Sequence, residues 1–283
     1  MFEDMMGTNI KLNKSTNGHI FCSGMSGYGK TYLLDSLIKE NVINNIPTVI
    51  FDYSGSFTET ELAKADIRVG KKVKIINPEK DAFNLPIISD IDTGKYILAD
   101  ILKESMGVKG YLNKKTLNQI SSVACLDAEP SLIKIIIYAA KLLELSEDSA
   151  DVRRLDNLIS RLEFLTSLKK INVWNKPGIE ISQKSTYIID LNHVSAETKK
   201  ADVNFIMNIL WYGIKEKLLP YRCVILDECQ HVDLHTGKVA AEMLREGRKF
   251  DLSMYMATQS IRDRDPDEIE NIMQLIIRFF QTY

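Results

Sequence analysis

Apolar positions outline the chain before any motif is considered. Residues 18–23 (GHIFCS) form a short apolar run entered through the turn pair Asn17-Gly18, which predicts a buried strand. Over 30–43 the apolar residues Leu33, Leu34, Leu37, Ile38 and Val42 recur at steps of three and four, the spacing of one helix face. A second strand at 47–51 runs into Asp52, and a third at 73–76 runs into Asn77-Pro78. Strand, helix and strand in alternation predict an α/β fold with a parallel sheet.

Between about 91 and 170 the pattern changes. No convincing strand is found there, but amphipathic runs at 95–104, 115–123, 131–145 and 151–168 predict a helical insertion or subdomain. Strand character returns at 185–191 (STYIIDL), followed by a long helical pattern over 196–219 that stops at Pro220. The apolar run 222–226 (RCVIL) leads directly into Asp227-Glu228. A helix at 236–249, a strand at 251–257, a short helix near 267–274 and a last strand at 275–280 complete the expectation. The chain shows no repeat, Gly/Ser linker or low-complexity tract.

Composition narrows this picture little. The 283 residues, 45% hydrophobic and 26% charged, describe an ordinary globular chain able to bury a core without staples. Lys plus Arg number 36 against 38 Asp plus Glu, so a wholesale basic coat for nucleic acid is excluded, though a local basic face or ring lumen is not. Cys22, Cys125, Cys223 and Cys229 form no C-x-x-C pair, which points to a reduced, cytoplasmic protein. The opening MFEDMMGTNI has acids and no apolar core of a signal peptide, and no window reaches 18 apolar residues. Neither export nor membrane insertion is expected.

The chemistry enters between the first strand and the first helix. Gly24-Met25-Ser26-Gly27-Tyr28-Gly29-Lys30-Thr31 is a complete G-x-x-x-x-G-K-[ST] phosphate loop. Gly24, Gly27 and Gly29 permit backbone angles that turn successive N–H groups onto a polyphosphate at the helix N-terminus. Lys30 supplies a charge for the β and γ phosphates, and Thr31 a hydroxyl for Mg²⁺. Ser26, Tyr28 and Tyr32 complete the set expected to contact ATP. Asp227, after its apolar strand, is expected in the metal's shell. Glu228, one residue on, is placed to polarise an attacking water as general base; in a chain without the loop, such a pair would be an ordinary solvated strand end.

About 200 residues and at least three strand candidates separate the phosphate loop from Asp227. That implies extra strands between the two motif-bearing strands, the arrangement of RecA-like (ASCE) motor ATPases, here spanning 1–283 as one ATPase domain with the helical insertion at about 91–170. Gln259, in Ala257-Thr258-Gln259-Ser260 at a strand tip, is placed to sense γ-phosphate or the lytic water. Arg245-Glu246-Gly247-Arg248-Lys249 closes a helix, where cations are stabilising on their own account. Its functional reading is an arginine finger inserted into a neighbouring subunit's ATP, with Arg248 preferred to Arg245. His231 and His235 stand at i, i+4 spacing but lack a Glu after the first His, so they read as a loop rather than a metal site.

The succession of His19-Ile20-Phe21 before GMSGYGKT, Asp52-Tyr53-Ser54-Gly55, Asn77-Pro78, ILDE, REGRKF and ATQS resembles the HerA/FtsK superfamily of hexameric DNA-pumping ATPases. HerA-like helicases and the coupling and assembly ATPases of type IV secretion are the nearest in flavour. The resemblance implies a Mg²⁺-dependent ATPase working as a homo-oligomeric ring, a hexamer, on double-stranded DNA in its lumen. It assigns Lys30 and Thr31 to the Walker A pair, Asp227 and Glu228 to the Walker B pair, Gln259 to the sensor and Arg248 to the trans finger. Two departures stand out: about seventeen residues precede the first core strand, where HerA proteins usually carry a β-barrel, and Gly55-Ser56-Phe57 replaces an acid-bearing segment. The same engine could serve a conjugation or virus-packaging motor, or an ATP-gated scaffold for a nuclease or NADase effector.

Overall fold

The computed structural model describes residues 18–177, 181–235 and 237–259 with side chains, and the backbone of 2–3, 9–10 and 276–278. In chain order its first elements are β1 (Phe2–Glu3), β2 (Asn9–Ile10), β3 (Ile20–Ser23), α1 (Lys30–Ile43), β4 (Thr48–Asp52), α2 (Glu59–Lys64), β5 (Val73–Ile76) and β6 (Phe83–Ile88). Helices α3 (Ile91–Met106), α4 (Tyr111–Leu126), α5 (Leu132–Glu144) and α6 (Ser149–Leu162) come next, then β7 (Ile171–Trp174), β8 (Thr186–Asp190) and α7 (Ala196–Lys215). The chain continues with β9 (Cys223–Leu226), α8 (Val239–Glu246), β10 (Ser253–Thr258) and β11 (Ile276–Arg278).

The chain forms two compact units. The first comprises Met1–Ile75, Ser182–Asn192 and Pro220–Tyr283. It carries a seven-stranded sheet ordered β11-β3-β10-β9-β4-β8-β5, in which β4 runs parallel to β8 and β9, and β3 parallel to β10 and β11. Strands β3, β4 and β9 are buried along their whole length, as strands covered on both faces must be, and their sequences are therefore unbroken apolar runs rather than alternations. Helix α1 lays Leu34, Leu37 and Ile38 into a core with Ile20, Cys22, Ile50, Ile188 and Ile225. All four cysteines are buried and no disulfide joins them. Because the strands are parallel, their C-terminal ends share one edge of the sheet, and the loops that leave those ends meet there.

The second unit comprises Ile76–Ile181 and His193–Leu219. It contains α3 to α7 and a two-stranded parallel pair, β6 with β7. Helix starts are set by local chemistry: Asp90 accepts from Thr93 N–H (2.9 Å), Asp148 from Ala150 N–H (2.7 Å) and Ser195 from Thr198 N–H (3.3 Å). Strands β6 and β7 flank the helical stretch at about 91–170 and are absent from the sequence-based expectation. Pro86 sits in the middle of β6, and the register of β6 on β7 shifts between Asn84 and Ile88, so the missing proline N–H falls at the irregularity.

Several boundaries differ from expectation for identifiable reasons. Helix α7 ends at Lys215, not 219, because Lys217 takes a left-handed φ of 57° while Leu218 and Lys217 donate back to the carbonyls of Gly213 and Ile214. That is a Schellman closure with lysine in glycine's usual place. Helix α8 gives way at Gly247 to a 3₁₀ turn, Gly247–Phe250. A Cβ at Gly247 would lie 2.9 Å from the Leu252 carbonyl oxygen, so only glycine permits that approach. The short helix α2 is absent from the sequence-based expectation; Thr58 caps it by accepting from Glu61 N–H. The helix expected near 267–274 lies outside the described residues, as do Thr236 and Ser260. Among the described residues, no helix is long and apolar enough to cross a membrane.

Candidate nucleotide site

Strand β10 lies between β3 and β9, so one strand separates the phosphate-loop strand from the strand that ends in Asp227. The loop leaves β3 at Ser23 and enters α1 at Lys30. Gly27 (φ 83°) and Gly29 (φ 87°) take left-handed conformations, and Gly29 stands directly before α1, whose N-terminus has no side-chain cap. Its first N–H groups are thus directed toward the loop's concavity, where an anion can satisfy them. Gly24, expected to need the same freedom, takes no left-handed φ; its N–H instead donates to the Thr258 carbonyl of β10 (3.2 Å). Ser26, Thr31 and Tyr32 are exposed, and Tyr28 is half-buried.

Lys30 is 7% exposed and its ammonium donates to the carbonyls of Gly24 (2.7 Å) and Met25 (2.9 Å). The loop's own carbonyls thereby hold the Lys30 ammonium. Opposite stands an excess of acid. Asp227 is 3% exposed and accepts from the Ser54 hydroxyl (3.0 Å). Burial pushes its carboxyl up to about 6, against that hydrogen bond and with help from the neighbouring Glu228 and Asp52 charges. Asp35, on the second turn of α1, is pushed up to about 6 by burial and by the charges of Glu61 and Asp227. Asp52 is raised by burial although Gly55, Ser56 and Phe57 all donate backbone N–H bonds to it. The Asp227 carboxylate and the Thr31 hydroxyl at the start of α1 are oxygen donors of the kind Mg²⁺ takes. The residues fit the ion.

Glu228, two residues past β9, takes a left-handed conformation (φ 57°) that is uncommon for a non-glycine residue. This turns the chain, so consecutive acids do not point to opposite faces as they would along a strand. Gln259 Nε2 donates to Glu228 Oε1 (2.7 Å), which places the tip of β10 on the candidate base. Gln230 Nε2 donates to the other oxygen, Oε2. Neither Gln230 nor Ser54 is singled out by sequence. Nothing two residues past an acid pair marks an amide as its partner, and Ser54 meets Asp227 across 173 residues of chain.

Lys30, Asp227, Glu228 and Gln259 therefore share one edge of the sheet, whereas Arg245 and Arg248 do not join them. Both arginines are exposed and flank Gly247, whose neighbours are Leu252, just before β10, and His19, just before β3. They stand at the N-terminal edge, about 17–20 Å of six-residue strand from Gln259. That helix end is pinned by His19, which is 1% exposed, bonds through Nε2 to the Leu244 carbonyl (2.8 Å) and accepts at Nδ1 from Met254 N–H (2.9 Å). Burial lowers the His19 pKa and keeps the ring neutral, in the tautomer with the proton on Nε2. His231 lies 5.5 Å from the Tyr53 ring, and His235 Nδ1 is 2.7 Å from Asp233 Oδ1. Among the described residues no group of three or more His, Cys, Asp or Glu is disposed to hold a metal on its own.

Residues 4–210 match the family model described as the central domain of the helicase HerA. That span includes the phosphate loop, while Asp227, Glu228 and Gln259 lie beyond it. Among curated proteins, DNA import protein CedB of Sulfolobus acidocaldarius is 25% identical over 263 residues, covering 89% of this chain and 42% of CedB. The chain thus spans about two-fifths of that relative's length. VirB4 of Thermoanaerobacter pseudethanolicus superposes with a TM-score of 0.59 at 14% identity, over 95% of this chain and 79% of VirB4. Plasmid coupling protein TrwB bound to the GTP analogue GDPNP gives 0.60 at 16%, over 90% of this chain and 65% of TrwB. TrwB with ADP and Mg²⁺ gives 0.55 at 14% over the same shares. At such identities the structural likeness establishes the fold, a RecA-like P-loop core.

Proposed function

This chain belongs to the family of the HerA helicase central domain, and from that premise we propose that it is a Mg²⁺-dependent ATPase whose hydrolysis drives the movement of double-stranded DNA. The observation that carries the reading is the convergence of Lys30, Asp227, Glu228 and Gln259 on one edge of a parallel sheet. In this reading the phosphate loop binds the β and γ phosphates, with Lys30 exchanging its two loop carbonyls for phosphate oxygens. Thr31 and Asp227 hold Mg²⁺, which supplies charge neutralisation for the leaving phosphates. Glu228 takes a proton from the attacking water, Gln259 orients that water or the γ-phosphate, and exposed Tyr32 flanks the nucleoside.

Arg248, or Arg245 beside it, stands too far along the sheet to serve its own loop. A finger role therefore requires a second copy of the chain, and we place the active form as a homo-oligomeric ring, a hexamer. The helical stretch at about 91–170 is read as an insertion in that ATPase domain. A DNA import protein among the relatives and a plasmid coupling protein among the structural neighbours favour DNA transport as the work performed. A conjugation or packaging role uses the same cycle; an ATP-gated scaffold for a nuclease or NADase effector uses binding without coupled transport.

Steady-state ATP turnover against protein concentration, with and without duplex DNA, tests the reading. We expect turnover that climbs steeply with concentration, rises with duplex and vanishes in Lys30→Ala. Normal turnover by Lys30→Ala overturns it, and full partner-effector activity in a Glu228→Gln protein would replace the motor by the scaffold.

A further inference from the structure

Glu228 is held from two sides, and the residue on one of them has no part in the proposed hydrolytic cycle. We infer that Gln230 is a positioning residue for the Glu228 carboxylate and that, through Thr258, it ties that carboxylate to the phosphate loop. The inference rests on Glu228 being the hydrolytic base.

A general base must keep one oxygen aimed at the water, yet a glutamate has three side-chain torsions and Glu228 is only half-buried, so packing alone does not fix it. Two amides do. Gln259 donates to Oε1 and Gln230 to Oε2. Gln259, as the proposed sensor, must redirect its amide toward phosphate or water when nucleotide arrives, so its hold on Glu228 is given up at the moment it is needed. Gln230 has no such second duty. Its own carbonyl oxygen accepts from the Thr258 hydroxyl (2.9 Å), and the carboxylate, which only accepts, fixes the direction of the amide: flipped, Gln230 would oppose its oxygen to Glu228 Oε2. The 3₁₀ turn Cys229–His231 folds the side chain back over Glu228, and His231 N–H donates to the Glu228 carbonyl (3.2 Å).

Thr258 also has a second attachment. Its backbone carbonyl accepts from the N–H of Gly24, the first residue of the phosphate loop. Gly24, Thr258, Gln230 and Glu228 therefore form an unbroken series of hydrogen bonds from the loop that grips phosphate to the group that activates water. A loop that rearranges around nucleotide displaces Gly24, and the series transmits that displacement to the base.

Single-turnover and steady-state hydrolysis, with nucleotide affinity measured separately, test this in five proteins: wild type, Glu228→Gln, Gln230→Leu, Thr258→Val and the Gln230→Leu/Thr258→Val double variant. Gln230 is exposed, so its replacement leaves folding intact. We expect Gln230→Leu to lower kcat on the order of 10–100-fold with nucleotide Kd within about twofold, as misplacement of a reacting group does. Thr258→Val should lower kcat less, and the double variant should be no slower than Gln230→Leu, because both changes break the same series. Wild-type kcat in Gln230→Leu, or losses that multiply in the double variant, overturns the inference while leaving Glu228 as base. Wild-type turnover in Glu228→Gln overturns both.

Discussion

Two groups of acids, one in each unit, are held in opposite ways. In the helical unit Asp90 and Asp148 cap α3 and α6 from exposed positions, and the N–H groups it receives hold Asp90 below the usual carboxylate range. Asp127 is likewise lowered by Lys134 and Tyr138, which donate to its two oxygens. In the sheet unit Asp35, Asp52 and Asp227 are all raised, because burial outweighs the bonds they receive. In the helical unit received hydrogen bonds decide how these acids ionise, and in the sheet unit burial does.

The sharpest way to break that comparison is Asp227→Asn. Removing a charge that burial disfavours should raise the stability of the nucleotide-free protein by about 1–2 kcal/mol at pH 8, while ATP turnover falls more than about 100-fold for want of the metal-bound charge. Chemical denaturation and hydrolysis assays on the same preparation check both halves. A variant that lost stability would place Asp227 among the architectural acids.

Asp202 is the exception inside the helical unit and gives the next largest effect. It is fully buried on α7, its two oxygens lie 2.8 and 2.7 Å from the Ser167 hydroxyl, and burial pushes it up to about 7. Ser167 has one proton and also faces the Phe164 carbonyl, so a protonated Asp202 satisfies all three groups at once by donating to the serine. Between about pH 4 and 7 the folded state therefore holds a proton that the unfolded chain has released, and stability falls as pH rises through that window. Asp202→Asn should flatten this slope and gain roughly 2–4 kcal/mol at pH 8, read as urea midpoints at pH 5, 6, 7 and 8. An unchanged slope would assign the pH dependence elsewhere.

The smallest effect belongs to a cap. Asp148→Ala should cost about 1 kcal/mol of stability and leave the Michaelis constant for ATP unchanged. A change in nucleotide affinity would show that capping acids and site acids are not independent.

Legibility in the sequence obeys the same division. The phosphate loop and the Asp227-Glu228 pair can be read because their members are neighbours along the chain, and α1 and β5 can be bounded because apolar spacing alone defines them. Strand β6 cannot, because Pro86 interrupts its apolar run. Ser54 escapes because only the sheet order brings it to Asp227, and Gln230 because nothing in the sequence marks the 3₁₀ turn that folds it back onto Glu228. The end of α7 escapes because Lys217, not glycine, closes it. Local pattern names elements and contiguous motifs; the second layer of a site is a property of topology.

The His19 bracket has a mechanical meaning. One imidazole fastens the Leu244 carbonyl of the arginine-bearing helix to Met254 at the start of β10, and β10 ends at Thr258 beside the phosphate loop. Strand β10 is in that sense a tie-bar: near its start it is fastened to the helix that carries Arg245, and at its end to the loop that carries Lys30.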